Sequence, residues 1–249
     1  MDAAAVAAEP VPGPVPAAPT TFTVSPSLAA FQKPLRAYLD ANPRYGAIVV
    51  GACVFDNGNR TTTDTTTTLA IDDKDNSAPA SATQQEKGEQ EPRILLLQRA
   101  PTDSMPLRWE VPGGACDHED ETLLHAVARE LWEESGLRAA SIEALVFSGS
   151  GIGTGTGTGV IDHDVFFSRR GLRVRKFSFV VGVEEGPAEV RLDPAEHVAF
   201  LWVTEEEARR GRHGDVALEF TTPRQREVVL EAFKMMRGGV DRGVDESCS

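Results

Sequence analysis

Three glutamates, Glu130, Glu133 and Glu134, stand at a spacing that can do chemistry. On a helix, with about 100° between successive side chains, their carboxylates fall within an arc of roughly 100°. Like charges at i,i+3 and i,i+4 disfavour a helix by a few tenths of a kcal/mol per pair. Such a face is ordinarily solvated. A bound hard cation would turn its repulsion into attraction, and divalent ions such as magnesium prefer these oxygen ligands.

The elements that must position these groups are legible. Residues 121–135 carry no Gly or Pro and are rich in Leu, Ala and Glu, which predicts a helix. Gly136 is suited to end it in the left-handed conformation. Leu124, Val127, Ala128 and Leu131 fall on the arc beside the carboxylates and anchor the helix to a core. Ahead of it, residues 109–111 predict a short strand delivered into Pro112-Gly113-Gly114. Apolar, Val/Ile/Leu-rich runs at 45–55, 93–99, 142–148, 173–184 and 198–203 predict further strands. Residues 27–39 predict a brief helix interrupted near Pro34. Thr204 with Glu207 three residues on forms a capping box for another helix, and Pro223 opens a last one reaching about Met236.

Composition narrows the function classes. The 249-residue chain is 41% hydrophobic and 25% charged, ordinary for a globular protein, and its formal net charge of -13 argues against a broad basic nucleic-acid surface. Cys53, Cys116 and Cys248 are odd in number and far apart, so neither a disulfide framework nor a zinc site is indicated. No signal-like or membrane-spanning run is seen, and a cytoplasmic location is the expectation. The Gly/Thr tract at about 148–159 is no phosphate loop: no Gly-Lys-Ser/Thr follows, and its glycines all sit at odd positions. His118, His125, His163 and His197 lack ligand spacing and read as ordinary histidines.

Residues 121–137 carry a resemblance. They match the signature of the Nudix hydrolases, G-x5-E-x7-R-E-U-x-E-E-x-G-U with U bulky and aliphatic, from Glu121 through Arg129, Glu130, Leu131, Glu133, Glu134 and Gly136 to Leu137. One residue too many lies between Gly114 and Glu121, and counting back from Glu121 puts Ala115 in the glycine slot.

The resemblance implies an α/β (α+β) fold, a mixed β-sheet sandwiched between helices with a loop-helix-loop catalytic box. It implies hydrolysis of a pyrophosphate bond in a nucleoside diphosphate linked to another moiety, with Mg2+ or Mn2+ as cofactor. The alternative is a Nudix-fold nucleotide-binding or regulatory module without catalysis. Carried over by position, Glu133 and Glu134 are metal ligands, Glu130 a further ligand or the base, and Arg129 the residue that orients a box carboxylate. Gly114, or Ala115 given the extra residue, would lend a backbone carbonyl to the metal, and Glu121 would support the site. Glu196 is the expected acid from outside the box, with Glu184 and Glu185 as rivals. Trp109 and Arg99 are candidate substrate contacts, though a tryptophan here is as readily core. The expected partner is a small nucleoside diphosphate derivative, with no stable DNA binding and no membrane. The expected organisation is an Ala/Pro-rich disordered arm (1–25), one Nudix domain (26–237) with a disordered insertion at about 57–91, and a flexible tail (238–249).

Overall fold

A computed structural model describes residues 21–56, 91–146, 164–184 and 189–239. The expected insertion over 57–90, the Gly/Thr tract, the arm over 1–20 and the tail beyond 239 lie outside them. The arm's expected end at residue 25 is corrected. Strand β1 (Thr23–Val24) pairs in parallel with β5 (Ala139–Leu145), where its backbone groups find partners. Pro34 splits the expected helix at 27–39 into a 3-10 helix (Pro26–Phe31) and α1 (Leu35–Ala41), because proline has no N–H to continue the first.

The main sheet is mixed. Strand β2 (Ala47–Asp56) runs parallel to β7 (Arg173–Val183), from Ala47 opposite Val174 to Val54 opposite Val181. β5 and the short β6 (Val165–Phe167) each pair antiparallel with β7. On the other side, β3 (Arg93–Arg99) pairs antiparallel with β4 (Trp109–Glu110) and with β8 (His197–Thr204). β2 and β3 meet only at one corner, Phe55 opposite Ile94 and Asp56 opposite Arg93. Beyond that corner, residues 112–116 take the open edge of β2: Val50 N–H donates to Gly114 at 2.8 Å, Ala52 N–H to Pro112 at 2.8 Å, and Cys116 N–H to Ile48 at 3.0 Å.

The period-two alternation of the strands builds two apolar layers. Ile48, Val50, Ala52, Val54, Leu95 and Leu97 face α2 (Leu123–Ser135), where Leu124, Val127, Ala128 and Leu131 are buried as expected. Cys53, Ile94, Leu96 and Val203 face α4 (Pro223–Gly239) and pack on Val228, Val229, Ala232 and Phe233. The short α3 (Glu205–Arg210) starts with both bonds of the Thr204–Glu207 capping box. A small hairpin, β9 (Arg212–His213) and β10 (Val216–Ala217), connects α3 to α4. Cys53 and Cys116 are buried free thiols, and burial pushes the Cys53 thiol up to about 12. Among the described residues no helix is long and apolar enough to cross a membrane.

Candidate active site

The box helix is pinned at both ends. Thr122 caps the first turn by accepting from His125 N–H, and Gly136 closes the last at φ 68°, donating to the Trp132 carbonyl. With its apolar arc locked against β2, the helix presents Glu130 and Glu134 toward Gly113 and Gly114, while Glu133 points to Arg129.

Glu134 is buried, and its carboxylate accepts from Gly113 N–H at 2.6 Å. Only glycine can occupy that point. Its φ is +152°, and a Cβ would stand 2.2 Å from the Val50 carbonyl oxygen and 2.6 Å from Gly51 Cα. At Gly114 a Cβ would stand 2.6 Å from Glu130 Oε2. The first glycine thus lets the loop press on β2, and the second makes room for a buried carboxylate.

Both carboxyls hold protons well above the usual range. Burial pushes Glu130 up to about 7; the Arg129 guanidinium opposes this, while Glu133 and Glu196 add to it. Burial also raises Glu134, against the Gly113 N–H, with Glu110, Glu130 and Glu196 reinforcing the rise. Two adjacent buried carboxyls without an adequate cation are a costly arrangement unless something external completes them.

Glu196 enters this cluster from the turn before β8. The turn is set by Glu196 and His197 N–H groups donating to the Asp193 carbonyl, and the Glu196 carbonyl accepts from Ala100 N–H at 2.7 Å. Ligand atoms of Glu134, Glu196 and His197 all lie within 4.8 Å of one another. Carboxylate oxygens with one imidazole nitrogen form a donor set that fits a divalent cation. Of the rivals to Glu196, Glu184 lies at the end of β7 beside Arg138, and Glu185 is outside the described residues.

Arg129 organises the rim. It donates to both oxygens of Asp120 at 2.9 and 3.0 Å, to Glu130 at 2.8 Å, to Glu133 at 2.9 Å and to the Ala115 carbonyl at 2.9 Å. These bonds, those to Asp120 foremost, hold its proton more firmly than usual. Glu133 is half exposed and turned to Arg129. Each candidate loop carbonyl already accepts a bond, Gly114 from Val50 and Ala115 from Arg129.

Three expectations are corrected. Glu121, expected to support the site, stands away from it: it precedes the Thr122 cap, its side chain is 79% exposed, and its ion-pair contact is His125 at 3.5 Å. Asp120 takes that place from a turn in which Asp117 N–H donates to its carboxylate at 2.7 Å. The extra residue before the helix was the signal for this exchange. Trp109 is 2% exposed, packs in the layer facing α4 and donates its indole N–H to the Ala217 carbonyl at 3.2 Å, so its ring offers no stacking face. Arg99 is engaged by Glu110, Asp103 and the Ser104 carbonyl, and so neutralises a buried carboxylate and ties down the loop. Glu110 and His197 are two further residues that sequence reasoning missed. Both are buried, and Glu110 Oε1 lies 3.7 Å from His197 Nε2.

Comparison with known proteins identifies the family. Residues 80–222, more than half of the chain, match the model of the NUDIX domain. Solved structures similar to it include the MutT protein from Methanosarcina mazei Go1, at 21% identity and TM-score 0.42 over 77% of this chain and 94% of that one. The NUDIX domain of Shewanella oneidensis NrtR complexed with ADP ribose is 16% identical, with TM-score 0.45 over 80% and 97%. A C. elegans Ap4A hydrolase binary complex is 17% identical, with TM-score 0.41 over 78% and 98%. No curated protein matches the chain.

Proposed function

The chain belongs to the NUDIX family, and from that premise we propose that it hydrolyses the pyrophosphate bond of a nucleoside diphosphate linked to another moiety, with Mg2+ or Mn2+ as cofactor. The observation that carries this reading is the pair of buried, proton-retaining carboxyls Glu130 and Glu134 facing Glu196. Glu134 and Glu196, with Glu130 beside them, would hold the cation. When bound, such an ion neutralises phosphate charge and lowers the pKa of water.

The chain's own residues do the rest. Gly113 N–H fixes the Glu134 carboxylate against the loop. Arg129 holds Glu130 and Glu133 in one arc, with Glu130 beside the cluster as the base for the attacking water. Asp120 locks Arg129 in that position. In a chain of net charge -13, an anionic diphosphate is bound productively only where cations offset the carboxylates.

A panel of nucleoside triphosphates, nucleoside diphosphate sugars, dinucleoside polyphosphates and coenzyme diphosphates, assayed with Mg2+ and with Mn2+, tests the proposal. Metal-dependent turnover of a member, lost in Glu134→Gln, is the expected result. Metal and nucleotide binding without turnover across the panel would point instead to a binding module.

A further inference from the structure

We propose that His197 is a nitrogen ligand of the divalent cation held by Glu134 and Glu196, giving this site a preference for divalent transition-metal ions over Mg2+. The proposal rests on the metal-dependent reading above and adds a donor that the box does not contain.

Three independent features place the ring there. His197 is 2% exposed; Nε2 has only the Glu110 carboxylate beside it, at 3.7 Å, and Nδ1 has no hydrogen-bond partner. A buried donor or acceptor left so costs about 1–3 kcal/mol, so a native structure that keeps one has a use for it. Second, a ring nitrogen lies within 4.8 Å of ligand oxygens of both Glu134 and Glu196, close enough for one ion to draw all three together.

Third, the backbone turns the ring toward them. In β8, Ala199, Leu201 and Val203 pack in the layer facing α4, while Phe200 and Trp202 pack in the layer facing α2. Strict alternation would send His197 to the α4 side with Ala199. The register breaks instead: Gln98 pairs with Ala199 but Arg99 pairs with His197, leaving Val198 as the extra residue of a bulge, 39% exposed. Such a bulge re-aims the side chain beside it. His197 consequently shares the α2 face with Arg99 and Glu110. Glu110, clamped by Arg99 and 3.7 Å from Nε2, is the carboxylate available to orient the ring.

An imidazole nitrogen favours divalent transition ions increasingly from manganese onward, whereas magnesium keeps to oxygen and water; Mn2+ is the paramagnetic probe of that series. The test is electron spin echo envelope modulation of the full chain loaded with Mn2+. Nitrogen-14 modulation is expected in the wild type. It should change to the nitrogen-15 pattern when histidine is isotopically labelled, disappear in His197→Asn and persist in His118→Asn. Calorimetry should show Mn2+ affinity falling at least about tenfold in His197→Asn, with a smaller loss for Mg2+. If the variant fails to fold, the labelled wild type still shows whether a histidine is a ligand, and among the described residues His197 is the histidine in the Glu134–Glu196 cluster. Bound Mn2+ without nitrogen coupling, or coupling unchanged in His197→Asn, overturns the assignment while leaving hydrolysis standing. Nitrogen coupling retained in a chain that turns over no diphosphate overturns the hydrolytic reading alone. Absence of Mn2+ binding overturns both.

Discussion

Glu110 and Glu134 are both buried carboxylates in one region of the protein, and they titrate in opposite directions. Burial is the largest influence on each and pushes both upward. At Glu110 it is overcome by His197, Lys176 and the Arg99 guanidinium, so the carboxyl sits below its usual range. At Glu134 the largest counterweight is one backbone N–H, helped by the charge of an Arg99 already bound to Glu110, and Glu110, Glu130 and Glu196 add repulsion. The fold neutralises the first carboxylate with its own cation and leaves the second to be neutralised from outside. Burial therefore does not mark the site; missing compensation does.

The largest effect that would break this comparison is on turnover. Glu134→Gln keeps an oxygen for the Gly113 N–H but removes the charge, and hydrolysis should fall at least about 100-fold while the metal-free protein is no less stable. Glu110→Gln should show the reverse emphasis. It leaves the Arg99 guanidinium short of a partner in a half-buried position and should cost about 3 kcal/mol in denaturant unfolding. Equal effects of the two variants on stability and on rate would remove the distinction.

A pH series sharpens it. An unfolded carboxyl titrates near 4.5, whereas native Glu130 holds its proton up to about 7. Between those values the native state binds more protons than the unfolded one, so stability of the metal-free protein falls as pH rises from about 4.5 to about 7. Glu134, raised in the same direction, adds to the fall. Glu110 acts in the opposite sense, with its contribution present above about 4.5 and lost as pH drops through its lowered native value. Thermal melting in chelator should show the decline toward neutral pH, and a Glu130→Gln, Glu134→Gln double variant should flatten it.

The smallest effect concerns the loop. Asp120→Asn weakens the clamp on Arg129 and should lower turnover about tenfold with little change in melting temperature, whereas exposed Glu121→Gln should leave the rate nearly unchanged. Steady-state rates of the pair decide whether Asp120 has taken over the supporting place.

The box helix was legible because its period, its glycine stop and its apolar arc are local properties. The alternating strands and the Thr204 cap were legible for the same reason. Glu196 could be anticipated as an acid beside a strand, and the structure brings it to Glu134. What sequence could not show were consequences of register. The bulge at Val198 turns His197 to the other face, and nothing in VAFLWV announces it. The capped helix starts at Leu123, so Asp120 rather than Glu121 reaches Arg129. The surroundings of Trp109 and Arg99 were not legible because their partners, the Ala217 carbonyl and Glu110, are fixed by strand pairing and the path of the chain toward α4.

The central claim is that the Glu134 site is completed by an external cation. Its most direct test is a titration of Mg2+ and Mn2+ into the chelator-treated protein with a nucleoside diphosphate compound present, followed by calorimetry and thermal melting at several pH values. The account predicts binding tighter than about millimolar, a melting shift that grows as pH rises above about 7, and loss of both in Glu134→Gln. Binding that is absent, or equally strong in Glu134→Gln, would contradict it.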